Sequence, residues 1–239
     1  MKLAAILILH LLIVTKAITA ETVLTLNMTT KAPLHTQNRS GFIDELATEA
    51  FRRAKARWVG IRLPAQRGLI SSNQGVIDGE IVRVGGMEKL FLNLIPVREK
   101  VMNMEFVVFS YKPINLKNGW KDLAGKSIAY INGWKILEEN VPKSAEVIKT
   151  SNATELFKLL YKKRTDYIIY ERWSGRYLLQ NLSMKNVYIG KTPLATKEMF
   201  IYLHKKHHQL AYRLATTLAE MKKDGSYQQL FKKHLAKYK

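Results

Sequence analysis

The sequence LPAQRGLISSNQGVIDGEIVRVGG, residues 63–86, decides the fold class of this chain. Pro64 is a typical first residue of a helix, and the apolar positions that follow it indicate a short amphipathic helix that ends before Gly75. An apolar strand is then predicted over residues 76–82. A short helix followed at once by an apolar strand is one repeat of an α/β sheet.

Two charged side chains mark the end of that strand. Glu80 and Arg83 directly precede the Gly85-Gly86 turn. Ligands of open α/β sheets bind beyond the carboxyl ends of the strands, so Glu80 and Arg83 are predicted to meet a small molecule. A surface salt bridge at a strand end is the alternative.

The alternation of strand and helix continues along the chain. Strands are predicted at residues 23–28, 58–63, 76–82, 104–111, 127–131, 146–149, 167–171, 187–189 and 199–203. Helices are predicted at residues 42–57, 64–73, 152–163, 172–181, 206–223 and 226–237, and a further one begins at residue 134. This order is typical of α/β folds with parallel strands. The length, 239 residues, favours two lobes or one large unit.

Residues 1–20 have the pattern of a secretory signal peptide. Lys2 supplies the positive start, residues 3–14 are almost wholly apolar, and Ala20 is a small residue at the expected cut. The apolar run is short for a bilayer span, and an uncleaved anchor is the alternative. The chain has no Cys, which excludes disulfides and a lipid-anchored cysteine. We therefore expect a periplasmic protein.

The chain is strongly basic, with 39 Lys and Arg against 19 Asp and Glu. Loss of residues 1–20 would remove Lys2 and Lys16 and leave 37 basic side chains. Such an excess attracts nucleic acid, anionic lipid and acidic envelope polymers. The charges are scattered over several predicted helices, and the sequence contains no zinc-finger spacing and no aromatic RNA-binding motif. We expect a solvated basic surface and no nucleic-acid partner.

Three motifs carry a resemblance to a known family. They are DLAGKSIAYINGW at residues 122–134, the strand at residues 167–171, and KDGSY at residues 223–227 with a helix after it. Behind a signal peptide, this order resembles the family 3 periplasmic solute-binding proteins, which serve ABC transporters of polar amino acids. The stretch GFID at residues 41–44, with the pattern that follows Asp78, resembles a subgroup whose ligands are largely unassigned.

The resemblance covers essentially the whole chain after the signal peptide. It implies an α/β fold, namely the two-lobed type 2 periplasmic binding protein fold with two hinge crossings. Lobe 1 would consist of residues 21–111 with residues 197–239, and lobe 2 of residues 112–196. The crossings would lie near residues 111–113 and 193–197.

The resemblance also implies contacts for an amino-acid ligand. An Arg of lobe 1 clamps the ligand carboxylate in this family, and a guanidinium suits a two-point contact. Arg98, in the local sequence IPVRE, matches that motif, and Arg83 is the alternative because the interval from Asp78 to Arg98 is long. On lobe 2 the acid that meets an ammonium group falls on Glu171, beside Tyr170. Alternatively, Glu171 is an N-terminal partner of the helix that follows it.

Further ligand contacts are predicted from position. Asn132, Gly133 and Trp134 lie where the first strand of lobe 2 turns into a helix, and free backbone N–H groups at such a turn bind anions. Trp134 would either stack on a ligand or pack against the protein. Arg67 resembles a position that faces the cleft in this family, although a solvated Arg is the simpler account.

The sequence offers little support for catalysis or metal binding. His204, His207 and His208 lie close together, but the lysines beside them oppose a dication, so we expect neither a metal nor a cofactor. Motifs of hydrolases and phosphate loops are missing from the sequence. The cyclohexadienyl dehydratases, which share the fold, leave one enzymatic alternative, in which Glu80 and Glu171 act as acid or base. We expect a binding protein and not an enzyme.

These observations lead to a prediction of function. The chain is predicted to be a monomer that closes two lobes on a small polar solute, an amino acid or a related molecule. It would present this solute to the permease of an inner-membrane ABC transporter or to a sensor. The alternative from a different class is an envelope protein whose basic surface binds an anionic component.

Overall fold

The computed structural model describes residues 22–238, in which ten strands form one hydrogen-bonded sheet. The predicted signal peptide lies outside the described residues. Within residues 22–238, no helix is long and apolar enough to cross a membrane.

The first and the last of the described elements lie on the same side of the molecule. The elements of this side are β1 (Thr22–Asn27), α1 (Phe42–Arg53), β2 (Ala56–Ile61), α2 (Ala65–Asn73), β3 (Gly79–Val84), β4 (Leu94–Pro96), most of β10 (Ala195–His204), α6 (His208–Lys223) and α7 (Ser226–Leu235). The other side carries β5 (Met102–Ser110), β6 (Ser127–Ile131), α3 (Lys135–Asn140), β7 (Glu146–Thr150), α4 (Ala153–Tyr161), β8 (Tyr167–Glu171), α5 (Arg172–Asn181) and β9 (Tyr188–Ile189).

The sheet topology joins two parallel groups through two antiparallel strands. The strand order is β2-β1-β3-β10-β5-β8-β6-β7, with β4 paired to β10 and β9 to β5. Strands β2, β1 and β3 are parallel, as are β8, β6 and β7, whereas β10 and β5 run antiparallel to their neighbours. Each side of the molecule is therefore a small α/β unit of its own.

The apolar cores follow the same division. One core consists of residues between Leu24 and Met102 together with residues between Met199 and Leu235. Two further clusters lie between Phe106 and Ala195. We call residues 22–102 with 199–238 lobe 1, residues 106–195 lobe 2, and residues 103–105 and 196–198 the crossing segments.

The crossing segments are paired with each other across β5 and β10. In this ladder Thr196 opposes Glu105, Lys197 opposes Met104 and Glu198 opposes Asn103. The first crossing therefore lies inside a continuous strand and not at residues 111–113, where the sequence predicts it. A strand that runs from one core into the other carries no turn or composition change that would mark the boundary.

Aromatic packing fixes the helices on each lobe. In lobe 1, the ring of Phe42 meets Tyr227 and Phe231 edge to face, at 5.6 and 5.7 Å between ring centroids, and so joins α1 to α7. In lobe 2, Phe109 and Phe157 pack in the same way at 5.6 Å. Edge-to-face pairs of this kind add stability beyond the area that they bury.

Candidate functional site

A cavity of about 530 Å³ lies between the lobes. It opens at the carboxyl ends of β1 and β3 on one side and of β6 and β8 on the other, which is where open α/β sheets bind ligands. The lining residues come from lobe 1 (Thr29, Thr30, Lys31, Leu34, Ala65, Val82, Arg83, Val84, Met87, Met199), from lobe 2 (Phe106, Trp134, Lys135, Ile136, Glu139, Tyr170, Glu171, Ser174) and from the crossing segments (Met104, Lys197).

Arg83 reaches the cavity from the end of β3. Its Nε donates to Glu80 Oε2 at 2.7 Å, and its Nη2 donates to the carbonyl oxygen of Ala65 at 2.9 Å. The side chain is 11% exposed. Nη1 donates no hydrogen bond within residues 22–238, so both of its N–H groups are available to a ligand.

Glu80 lies beneath Arg83 and is not among the described residues that line the cavity. It is fully buried, and it accepts hydrogen bonds from Asn27 Nδ2 at 3.1 Å and from Ser72 Oγ at 3.2 Å. Burial raises the pKa of Glu80, and the charge of Arg83 opposes that rise. The prediction that Glu80 meets a ligand is therefore corrected, because α2 covers its carboxylate, which instead positions Arg83.

The two other predicted arginines face solvent. Arg98 is exposed while its neighbour Val97 is fully buried, so the alternation of side chains along this segment directs Arg98 outward. Arg67 is exposed on α2. Neither is among the described residues that line the cavity, so Arg83 is the one of these three arginines that reaches it.

Glu171 is buried at the junction of β8 and α5, where it caps the helix. Its two carboxylate oxygens accept hydrogen bonds from the backbone N–H groups of Trp173 at 2.9 Å and Ser174 at 2.7 Å. Burial raises the pKa of Glu171. Although Glu171 lines the cavity, its contacts are those of the helix-end alternative, and no ligand is needed to satisfy it.

An aromatic wall forms the lobe 2 side of the cavity. Trp134 and Tyr170 are stacked, with 5.1 Å between ring centroids and 15° between ring planes. Phe106 meets Trp134 edge to face at 5.5 Å. Burial raises the pKa of the Tyr170 phenol, so this group stays neutral. Trp134 therefore packs against the protein and also faces the cavity, so its ring can stack on a ligand while it packs against Tyr170.

The turn before α3 is not the anion site that the sequence predicts. The backbone N–H of Asn132 donates to Thr150 at 2.9 Å, and that of Gly133 donates to Glu138 Oε1 at 3.2 Å. Both residues are exposed and lie outside the described lining of the cavity. Bonds to Lys135, Lys149 and Gly133 lower the pKa of Glu138 to about 2, so the chain's own carboxylate occupies this turn.

Two polar side chains of the cavity are not predicted as ligand contacts from the sequence. Lys197 is half-buried in a crossing segment and has no ion-pair partner within the described residues. The buried hydroxyl oxygen of Thr30 has no hydrogen-bond partner in the same range. The signal for Lys197 was its place at the end of the second predicted crossing, but that position alone does not indicate a ligand contact.

The histidine cluster is tied to lobe 1. His207 Nε2 lies 2.7 Å from Asp78 Oδ1, and His204 Nδ1 accepts from the backbone N–H of Lys206 at 3.2 Å. Residues 22–238 contain no group of three or more His, Cys, Asp or Glu side chains that could hold a metal ion.

Comparisons with known proteins show the fold. No protein-family model matches this chain. An uncharacterised protein of Shewanella oneidensis is 29% identical over 178 residues, which cover 70% of this chain and 65% of that protein, less than two thirds of its length.

Two solved structures are similar over nearly the whole chain. The GluR0 ligand-binding core in complex with L-glutamate has a TM-score of 0.78 at 13% identity, over 90% of this chain and 99% of that one. A histidine kinase sensor domain with similarity to periplasmic binding proteins has a TM-score of 0.73 at 16% identity, over 90% and 96%. The chain thus has the two-lobed type 2 periplasmic binding protein fold.

Proposed function

We propose that this chain is a binding protein that closes its two lobes on a small polar solute. The observation that carries the proposal is the cavity of about 530 Å³, whose walls come from both lobes and from both crossing segments. A solute in this position touches parts of the chain that belong to separate apolar cores.

Closure follows from these two-sided contacts. Arg83 would hold the solute from lobe 1, while Trp134 and Tyr170 would hold it from lobe 2. A solute that contacts both lobes binds the closed state more tightly than the open one and so shifts the population toward closure. Two strands that each absorb a small change of backbone angle are sufficient for a hinge.

The cellular role that we propose is delivery of the solute, outside the inner membrane, to an ABC transporter or a sensor. The signal-peptide pattern of residues 1–20 supports export. The similar structures support a role in solute recognition, since one is a ligand-binding core with L-glutamate and the other a sensor domain.

The two carboxylates of the enzymatic alternative, Glu80 and Glu171, are hydrogen-bonded within the protein. Glu80 is covered by α2, and Glu171 uses both oxygens to cap α5. A general acid or base must come within hydrogen-bond reach of the substrate, and Glu80 is not among the described residues that line the cavity. We therefore propose binding without a chemical step.

Thermal unfolding in the presence of candidate solutes, followed by small-angle scattering, tests the proposal. A solute at 100 times its dissociation constant should stabilise the protein by about 2.7 kcal/mol. The same solute should bind at one site per chain and reduce the radius of gyration. If binding instead has several sites per chain and weakens steeply with salt, the surface alternative is correct.

A further inference from the structure

The charged groups of the cavity are unequal in what they offer a solute. On the basic side, Arg83 has two free N–H groups, and Lys197 is half-buried without an ion-pair partner in the described chain. Lys135 also lines the cavity, although it is paired with Glu138 at 3.0 Å. The cavity is therefore set up for an anion.

No acidic group of the cavity is placed to receive a cation from the solute, within the part of the chain that the structure describes. Glu171 is buried, and each of its oxygens already accepts a backbone N–H group of α5, so an ammonium group would have to compete with these bonds. Glu139 is exposed on α3, where water screens its charge. An ammonium group that entered the cavity would lose its hydration and meet Arg83 and Lys197 in exchange.

The rest of the lining is apolar on both lobes. Val82, Val84 and Met87 face the cavity from lobe 1, opposite the aromatic wall of Trp134 and Tyr170. Flat rings stack well on such a wall, and methionine adapts to the shape of what it contacts. A solute body that is apolar and flat would bury the most surface here.

These three observations together define a class of ligand. We infer that the solute is a carboxylate with an aromatic body and no ammonium group, bound with its carboxylate at Arg83 and Lys197 and its ring against Trp134. This rests on the proposed function and narrows it, because the amino acid that the sequence resemblance suggests would bring an ammonium group, for which the described lining offers no buried carboxylate that is free of backbone hydrogen bonds.

Calorimetry with matched probes tests the inference. The carboxylates are benzoate, phenylacetate and 3-phenylpropionate, and the comparison compounds are L-phenylalanine, which adds an ammonium group to 3-phenylpropionate, and phenethylamine, which lacks the carboxylate. We expect at least one of the carboxylates to bind at one site per chain. L-Phenylalanine should bind at least tenfold more weakly than 3-phenylpropionate, and phenethylamine should not bind.

A substitution at Lys197, with a matched control, locates the carboxylate. Lys197→Met keeps the length of the side chain and removes its charge, and it should weaken carboxylate binding roughly 10- to 100-fold, as expected for a charged hydrogen bond. Lys191→Met, at an exposed position outside the described lining of the cavity, is the matched control and should leave binding unchanged. Equal effects of the two substitutions would overturn the carboxylate contact at Lys197.

The outcomes separate the inference from the proposed function. If L-phenylalanine or phenethylamine binds as tightly as 3-phenylpropionate, the inference is overturned, and closure on that compound would still support the proposed function. If none of the three carboxylates binds, the inference is overturned as well. The proposed function itself fails when no small solute changes the radius of gyration.

Discussion

The guanidinium of Arg83 donates a hydrogen bond to the buried carboxylate of Glu80. This bond fixes the direction in which the guanidinium can bind a solute. Glu80 accepts from Arg83, Asn27 and Ser72 and leaves no room for a solute at its oxygens. A buried ion pair adds little net stability compared with an apolar pair, but removal of one partner is strongly destabilising. The main effect of the pair is therefore to hold Nη1 of Arg83 toward the cavity.

A double-mutant cycle tests this coupling. Arg83→Ala should lower the free energy of unfolding by about 3–5 kcal/mol, because it leaves Glu80 buried without its counter-charge. Adding Glu80→Gln should recover part of that loss, since the buried carboxylate is then gone. Denaturant unfolding of Arg83→Ala, Glu80→Gln and the double variant measures the coupling. Arg98→Ala is the exposed control and should change stability by less than about 0.5 kcal/mol. Strict additivity of the two changes would argue against the pair.

Glu171 is expected to act in stability more than in binding. Glu171→Ala removes the acceptor for two backbone N–H groups at the start of α5 and should cost about 0.5–2 kcal/mol of unfolding free energy. Asn152→Ala removes the cap of α4, where Asn152 accepts from Glu155 N at 3.0 Å, and is the matched control with a similar loss. A variant at Glu171 that kept its stability and lost solute binding would refute the capping role.

Part of the site could be predicted from residues alone. Strand ends can be predicted from the apolar pattern, and Arg83, Tyr170 and Glu171 lie at such ends. Trp134 lies in the turn that follows β6. Lys197 cannot be predicted in this way. Its place beside the cavity depends on its pairing with Met104, and the two strands that pair here are far apart in the sequence. The prediction that the backbone N–H of Gly133 binds an anion of the solute is wrong, because this N–H donates to Glu138, and the sequence does not show that contact.

At the scale of elements, the helices of each lobe depend on close contact with the sheet. Gly175 lies where α5 crosses β5, and a Cβ atom there would come within 2.2 Å of Phe109 Cζ. Phe109 is itself fully buried against Phe157, so it cannot move aside without disturbing the core of lobe 2. Glycine is therefore required at this position for a steric reason.

Substitution at Gly175 should reveal this contact. Gly175→Ala should destabilise the protein by about 1–3 kcal/mol, the usual effect of an extra methyl group in a packed core. Gly190→Ala is the control, because the nearest atom to a Cβ atom there is 3.5 Å away, an ordinary contact. Thermal unfolding of both variants gives the comparison. Equal unfolding temperatures would mean that α5 can shift away from β5.

The loop before α1 is held by a buried carboxylate whose titration can be followed. Burial of Asp44 opposes its ionisation, but bonds from His35 Nδ1 at 2.6 Å, Thr36 N at 2.9 Å and Gly41 N at 3.0 Å hold its pKa below the ordinary value. Because the folded state binds a proton less readily than the unfolded state, the ionised group stabilises the fold at higher pH.

The pH dependence of unfolding tests this assignment. The stabilisation from Asp44 should be fully present well above pH 4, near the ordinary pKa of an aspartate, and it should fade as the pH falls below that value. The difference in unfolding free energy between the parent and Asp44→Asn should therefore shrink between pH 6 and pH 3. Glu220→Gln, at an exposed position on α6, is the control and should run parallel to the parent. A constant difference for Asp44→Asn would contradict the assignment.

Most elements could be predicted from the sequence, because their apolar periods are unambiguous. The strands at residues 127–131 and 167–171 and the helix at residues 172–181 have the predicted bounds. Strand β4 was missed because it has three residues and ends in a proline, which is typical of an edge and too short for a period. Its existence depends on β10, which supplies its hydrogen bonds.

At the scale of the whole molecule, two sets of contacts join the lobes. Within residues 22–238 the sheet passes from one lobe to the other through the ladder of β5 and β10. In addition, Trp173 of α5 packs against the core of lobe 1, with its ring 5.3 Å from that of Phe231 on α7. Movement of one lobe relative to the other must therefore bend this ladder and shift the contact between α5 and α7. The cavity lies beside this ladder and between the lobes, so a solute in it contacts residues of both lobes and of both crossing segments.

The distance between the lobes is the measurement that tests closure most directly. The chain has no Cys, so Gln66→Cys on α2 and Asn140→Cys on α3, both exposed, provide unique sites for a pair of nitroxide labels. Pulsed electron resonance then reports the distance between the labels, without solute and with each of the 20 amino acids and the three aromatic carboxylates at saturation. The proposed closure predicts a shorter distance with the solute that binds in calorimetry, and no shortening when Arg83→Ala is added. A distance that stays the same with every solute would contradict it.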